Sequence, residues 1–408
     1  MSGKLLPEMT RRQFGRGLAR SAAALAIGTS LLQTSRVVQA GTVSGVSAAS
    51  IGPLGPADEN GVRLPAGFTS RIVARSGLPV GLSDYKWHVF PDGGATFPTH
   101  DGGWIYVSNC EAPLVGGTGA IRFGPNGRII DAYRILDNTQ LNCAGGPTPW
   151  GTWLSCEEHP SGYVWECDPY GRKAAVKRPA LGKFEHEAVA VDPVNGHLYL
   201  TEDDGEGCLY RYVPERLTLR GNPDLRRGEL QVAVVDANGY VSWVALQDPT
   251  PRVHLGATPT RYQVEGATVF KGGEGIWYHQ GLIYFTTKGD NRVWELNTDT
   301  QKLQVIYDKA TSENPVLSGV DNVTVSEQGS VLVAEDGGDM QIVVLTPEGE
   351  VVPLMQIEGQ DESEITGPAF SPDGTRLYFS SQRGEFRDRI SNGLGLTYEI
   401  TGPFSQIL

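Results

Sequence analysis

From residue 100 onward the chain repeats one pattern of apolar and polar positions: a short run, a glycine turn, then a denser run of aliphatic and aromatic residues. The denser runs are Ile105-Tyr106-Val107-Ser108, Trp153-Leu154-Ser155-Cys156, Leu198-Tyr199-Leu200-Thr201, Ile283-Tyr284-Phe285-Thr286, Val331-Leu332-Val333-Ala334 and Leu377-Tyr378-Phe379-Ser380. Each follows a turn glycine: Gly103, Gly151, Gly196, Gly281, Gly329 and Gly374 in turn. Asn195-Gly196 and Asp373-Gly374 predict tight hairpins, because Asn or Asp followed by Gly tolerates positive φ. The glycines recur at intervals of about 48, 45, 85, 48 and 45 residues, the length of a four-stranded propeller blade. Third strands are visible at Cys208–Val213 and Arg292–Leu296; the long interval holds Leu230–Val235 and Tyr240–Leu246, which fit outer strands, an insertion or a degraded blade. The pattern predicts an all-β fold, a six-bladed β-propeller with seven blades as the alternative. Helical periodicity is nearly absent beyond the N-terminal segment, and a β-sandwich would not repeat its hairpins so regularly.

The N-terminal segment reads differently. Thr10-Arg11-Arg12-Gln13-Phe14-Gly15-Arg16 matches a twin-arginine signal, Ser21 to Leu32 is weakly apolar, and Val38-Gln39-Ala40 supplies a small-residue cleavage pattern before Gly41. The sequence therefore divides into a signal peptide over 1–40, a Gly/Ser/Ala/Pro-rich linker or irregular start over 41–60, and a single propeller domain over 61–408. The expected location is periplasmic or extracellular, with the twin-arginine translocase as the partner during export. No later stretch has the 18 or more apolar residues of a membrane span. The net charge of -13 argues against nucleic acid, which needs clustered Lys and Arg. It is compatible with cation binding if the acids gather in one place.

Register says that they do. In a hairpin the start of the first strand lies beside the end of the second, so residues seven to nine before the turn glycine share an end with residues five to seven after it. At those offsets stand Glu187, Glu274 and Asp321 before the turns, and Cys156-Glu157-Glu158, Glu202-Asp203-Asp204 and Glu335-Asp336 after them. Asn142-Cys143 and Asn109 occupy matching offsets. If the hairpins are the inner strands of blades, these groups converge on one mouth of the central channel. Carboxylates crowded into one concavity must be protonated at a cost or bind cations. Calcium suits clustered oxygen ligands, whereas a thiolate at Cys156 suits iron or zinc.

The same offsets place Lys288 where other blades carry acids, and Arg383 at the end of Ser380-Ser381-Gln382-Arg383. These cations either pair with neighbouring carboxylates or hold phosphoryl oxygens. No P-loop, Gly-x-Ser-x-Gly elbow, His-Glu-x-x-His or Rossmann glycine motif is present, which lowers the weight of nucleotide binding and serine nucleophile chemistry. The five cysteines, Cys110, Cys143, Cys156, Cys167 and Cys208, cannot all pair in an exported protein.

The segment Asn142-Cys143-Ala144-Gly145-Gly146-Pro147-Thr148-Pro149-Trp150-Gly151-Thr152-Trp153-Leu154-Ser155-Cys156-Glu157-Glu158 resembles the hallmark segment of the PhoX family of bacterial alkaline phosphatases. Phe184-Glu185-His186-Glu187-Ala188, Thr201-Glu202-Asp203-Asp204, Gly273-Glu274-Gly275-Ile276-Trp277, Asp321-Asn322-Val323 and the twin-arginine leader fit the same family. The resemblance implies a six-bladed propeller with iron and calcium ions at one mouth. It implies Cys156 as an iron ligand, with Glu187 and Glu274 as further ligands, and Glu157, Asp321, Glu202 and Glu335 on the calcium side. The implied activity is hydrolysis of small organic phosphates; the expected catalytic residues are Glu274 at the cluster, with Lys288 and Arg383, marked by the offsets, holding the phosphate if they reach the site. The alternatives are a calcium-dependent lactonase or organophosphate hydrolase, in which a cysteine ligand would be unexpected, and a non-catalytic propeller bolted by calcium.

Overall fold

The repeated hairpins fold as six antiparallel sheets in a computed structural model that describes residues 48–384 and 394–408. The twin-arginine motif, the cleavage pattern and residues 41–47 lie outside the described residues. Blade 1 comprises Pro91–Pro98, Trp104–Cys110, Gly116–Phe123 and Ile129–Thr139, and blade 2 Asn142–Pro147, Trp153–Glu157, Val164–Cys167 and Val176–Lys177. Blade 3 comprises His186–Val191, Leu198–Glu202, Leu209–Pro214, Gly228–Val235 and Val241–Ala245. Blade 4 comprises Gly273–His279, Leu282–Thr287, Arg292–Asn297 and Leu303–Asp308. Blade 5 comprises Val320–Val325, Val331–Glu335, Gln341–Leu345 and Val351–Ile357, and blade 6 Ile365–Phe370, Arg376–Ser381 and Leu396–Thr401.

The two ends of the chain close the ring. Thr69–Arg75 adds to blade 6 as its outer strand, against Leu396–Thr401, and Val62–Arg63 adds to the outer edge of blade 5, against Gln356 and Ile357. The innermost strands then touch in the order of blades 1 to 6 and back to 1. The long interval between Gly196 and Gly281 is not a seventh blade. Leu230–Val235 and Tyr240–Leu246 supply the fourth and fifth strands of blade 3, and residues 246–272 form a segment with two short 3-10 turns. Residues 48–60, expected as irregular, contain a helical turn at Ala48–Ile51, and Ile51 is buried against the core of blades 5 and 6.

The second strands carry apolar residues without alternation because both of their faces are covered by neighbouring blades. Leu154 and Val164 of blade 2 pack with Val189, Leu200 and Tyr210 of blade 3, and Val333 and Val343 of blade 5 pack with Val293 of blade 4. The turn glycines do what the sequence requires of them. Gly151, Gly196, Gly281, Gly329 and Gly374 all have φ between 66° and 96°, and in blade 1 Gly102 at φ 81° takes the role expected of Gly103.

One irregularity recurs in all six innermost strands. The pairing slips by one residue just after the strand begins: between Pro91 and Gly94, Asn142 and Gly145, His186 and Val189, Gly273 and Ile276, Val320 and Val323, and Thr366 and Ala369. Such a bulge re-aims one side chain out of the ladder. Below the bulges the strands meet backbone to backbone. A Cβ on Gly146 would lie 1.7 Å from the Val189 carbonyl oxygen, and one on Gly93 would lie 2.5 Å from the Ala144 Cα. The channel here keeps a cavity of only about 20 Å³, lined by Gly93, Gly145, Ala188, Gly275, Asn322 and Gly367 among others. The axis is therefore a cup with a closed floor, open at the end where the bulges lie.

Candidate metal centre

Two residues per blade reach this cup. The first is the second residue of each innermost strand: Asp92, Cys143, Glu187, Glu274 and Asp321 at their bulges, and Thr366 of blade 6 one residue ahead of its bulge. The second follows the last residue of each second strand: Glu111, Glu158, Asp203, Lys288, Asp336 and Gln382. Glu364, just ahead of the innermost strand of blade 6, joins them. Four overlapping sets place one donor atom from each member within 4.8 Å of the others: Asp92, Glu111 and Cys143; Cys143, Glu158 and Glu187; Glu187, Glu274 and Asp321; Asp321, Asp336 and Glu364. Cys143, Glu187 and Asp321 each belong to two sets, so neighbouring positions share ligands around the axis.

The electrostatics of this ring require either protons or positive charge. Burial, then the neighbouring Glu274, Glu158, Asp321 and Asp92, pushes the Glu187 carboxyl well above its usual range. Burial and Asp321 do the same to Glu274, with Lys288 opposing. Burial and Glu111 raise Glu158 to about 9, and burial raises Asp321 to about 7 against the opposing Lys288. The Cys143 thiol is raised by burial and then by Asp92 and Glu187; a bound cation would reverse that effect. Glu187 is wholly buried, and neither of its carboxylate oxygens has a hydrogen-bond partner. An orphaned buried carboxylate costs several kcal/mol unless something compensates it. The residues present fit metal ions: oxygen donors throughout the ring, with one thiol at one side.

The structure brings together Glu187, Glu274 and Asp321, as the sequence predicts, and adds Lys288, whose Nζ lies 2.8 Å from Glu274 Oε1 and 3.3 Å from Asp336 Oδ2. Burial opposes the Lys288 charge, but Glu274 and Asp321 outweigh it and hold the ammonium firmly protonated. Arg383 pairs with Glu364 at 3.1 Å.

Four predicted ligands lie elsewhere. Cys156 is buried between blades 2 and 3 among Leu154, Val164, Phe184 and Leu200, because strand alternation turns it off the axis. The thiol in the cup is Cys143, which the offsets marked and the choice of Cys156 passed over. Glu157, Glu202 and Glu335 each end a second strand and fold back on the turn that follows. Each accepts the backbone N–H six residues later, from Tyr163 (3.2 Å), Cys208 (3.1 Å) and Gln341 (3.0 Å) respectively. Glu157 also accepts from Trp165 Nε1, Glu202 from the Tyr210 hydroxyl and Arg261, and Glu335 from the Ser318 N–H. In each acidic doublet the first residue braces the loop and the second, Glu158, Asp203 or Asp336, faces the cup. The doublets alone could not reveal this division, since both members share an end of the strand. Asp92 and Glu364 escaped the offset rule because the blade 1 hairpin is longer and Glu364 precedes its strand.

This bracing has a measurable consequence. Glu335→Ala strands two backbone donors, at about 1–3 kcal/mol for the buried one of Gln341 and less for the half-buried one of Ser318. The expected result is a melting temperature lower by several degrees, and Glu335→Gln, which keeps one acceptor, should lose less. Equal melting of both variants and the parent would show that the carboxylate braces nothing.

Comparison with known proteins agrees with this architecture. Residues 128–161, 159–303 and 291–384 match the family described as alkaline phosphatase PhoX. Among solved structures, Pseudomonas fluorescens PhoX in complex with vanadate, a transition state analogue, superposes with a TM-score of 0.69 at 18% identity, covering 86% of this chain and 97% of that one. A structural-genomics protein of unknown function from Bacteroides thetaiotaomicron superposes with a TM-score of 0.51 at 11% identity, covering 82% of this chain and 76% of that one. A stretch of 75 residues is 39% identical to the U3 small nucleolar RNA-associated protein 13 of Saccharomyces cerevisiae, over 18% of this chain and 9% of that protein. The family match spans most of the propeller, including the innermost strands of blades 2 to 6 that carry the acidic cup, and on that ground the chain belongs to the alkaline phosphatase PhoX family.

Proposed function

We propose that the protein is an exported, metal-dependent phosphomonoesterase acting on small organic phosphates, with iron and calcium in the cup. The observation that carries this reading is Glu187: fully buried, both oxygens unpartnered, and common to two sets of candidate ligands. The thiol-bearing sets, built on Asp92, Glu111, Cys143, Glu158 and Glu187, would hold the softer iron. The all-oxygen sets, built on Glu274, Asp321, Asp336 and Glu364, would hold calcium. When bound, such ions stabilise the negative charge that develops on a phosphoryl group in transfer. Lys288 and Arg383 stand at the rim of the ring, each on a carboxylate, and would orient the phosphoryl oxygens of the substrate. The closed floor of small residues leaves one approach to the ring. The twin-arginine pattern at residues 10–16 supports export, and with it a periplasmic or extracellular location. Among the described residues no helix is long and apolar enough to cross a membrane.

The test is elemental analysis of the exported protein together with phosphate release from a generic aryl monoester. Chelation should lower the rate by about 100-fold or more, and adding the ions back should restore it. Hydrolysis that is indifferent to chelator, or stoichiometric metal without turnover on phosphate esters, would refute the phosphatase reading.

A further inference from the structure

Blade 6 breaks the pattern of the cup. Its two ring positions carry the neutral residues Thr366 and Gln382, where most of the other blades present acids. Thr366 donates its hydroxyl to the Pro91 carbonyl at 2.8 Å. Gln382 is 1% exposed, and its backbone N–H bonds the Glu364 carbonyl at 3.0 Å. Its side-chain amide nitrogen donates twice, to Asp92 Oδ2 at 2.7 Å and to Glu111 Oε2 at 2.6 Å. The orientation of the amide follows from its neighbours. Two carboxylates are acceptors, so the NH₂ end must face them, and the flipped amide would set its carbonyl oxygen against both.

Asp92 and Glu111 are the two carboxylates grouped with Cys143. Each has one oxygen committed to the Gln382 amide. The other oxygen of Asp92 also accepts the Gly93 N–H at 2.5 Å. Both oxygens of Asp92 and one of Glu111 thus accept hydrogen bonds that fix how each carboxylate stands beside Cys143, and each oxygen keeps a lone pair for an ion. The donors held together here are the two carboxylates and the Cys143 thiol. Such a small donor set with a soft member suits a transition metal; calcium wants six to eight oxygens, often two from one carboxylate.

We infer that Gln382 is a positioning residue that helps select the metal: it fixes Asp92 and Glu111 beside Cys143 as one small donor set with a soft member, and so favours a transition metal over calcium in that pocket. The inference rests on the reading that cations fill the cup, and the experiment separates the two. The full chain is stripped with a chelator and titrated with Co²⁺, whose bond to a thiolate gives a near-ultraviolet charge-transfer band, and Ca²⁺ is then added in competition. The parent should show the band and keep it in calcium. Gln382→Leu should bind cobalt about 10–100-fold more weakly, the usual effect of removing a partner that orients a ligand, and calcium should bleach its band at about tenfold lower concentration. Gln382→Asn keeps an amide too short to reach both carboxylates. It should show the same direction with a smaller change, and it carries the test if the leucine variant does not fold. A parent band with unchanged cobalt affinity and calcium competition in the variants would overturn the role of Gln382 alone. Absence of a thiolate band in the parent would remove the Cys143 pocket, and the proposal with it.

Discussion

Glu187→Gln is expected to empty the cup and lower phosphate release by about 10³-fold or more, roughly 4 kcal/mol of transition-state stabilisation. The size of the effect follows from three facts. The side chain is wholly buried, both oxygens lack any protein partner, and it belongs to two neighbouring sets of ligands, so one substitution disturbs two ion positions. The fold should survive, because glutamine is nearly isosteric and removes a buried charge instead of adding one. Stability offers a second, independent readout. An ion present at about a thousand times its dissociation constant contributes about 4 kcal/mol, so chelator should lower the melting temperature of the parent by several degrees. The variant, with its ions already gone, should melt at the same temperature with and without chelator. A variant that retains the metal content and chelator response of the parent would show that Glu187 is not a ligand.

Cys143→Ser and Cys156→Ser should part company just as sharply. Cys143 sits between Asp92, Glu111, Glu158 and Glu187 in the ring, so its loss removes the soft donor. Iron content should fall and the rate should drop by about 10²-fold or more. Cys156 lies in the apolar layer between blades 2 and 3. A hydroxyl there has no obvious partner and costs about 1–3 kcal/mol of stability, while metal content and the rate per folded molecule stay at the parent level. Elemental analysis and thermal denaturation of the two variants decide the matter. Iron lost from the Cys156 variant and kept in the Cys143 variant would reverse the assignment.

The contrast between these two cysteines shows how far the primary structure reads. Both stand in one segment, at matching ends of a hairpin, and both satisfy the offset rule that gathers Glu187, Glu274 and Asp321. Which of them faces the axis depends on a one-residue bulge between Asn142 and Gly145. The bulge turns Cys143 toward the acids of the cup, whereas Cys156, paired regularly with Val164, keeps its place in the ladder and points between blades. The acidic doublets fail in the same way. Glu157, Glu202 and Glu335 are the last residues in register and curl back to amides six residues on; their successors are the first residues free to turn inward.

What the amino-acid sequence determines by itself is the repeat: hairpins at blade length, turn glycines at positive φ, apolar second strands for faces covered on both sides, and acids massed at one end of each hairpin. Those are local properties, set by backbone sterics and by period. Only the tertiary structure decides that residues 230–246 widen blade 3 instead of building a seventh blade, that the floor of the cup is closed by glycines meeting carbonyls, and that Gln382 of the last blade clasps Asp92 and Glu111 of the first. These depend on which strands become neighbours when the ring closes, and on how each bulge aims one side chain. Neither is encoded in any stretch short enough to read as a motif.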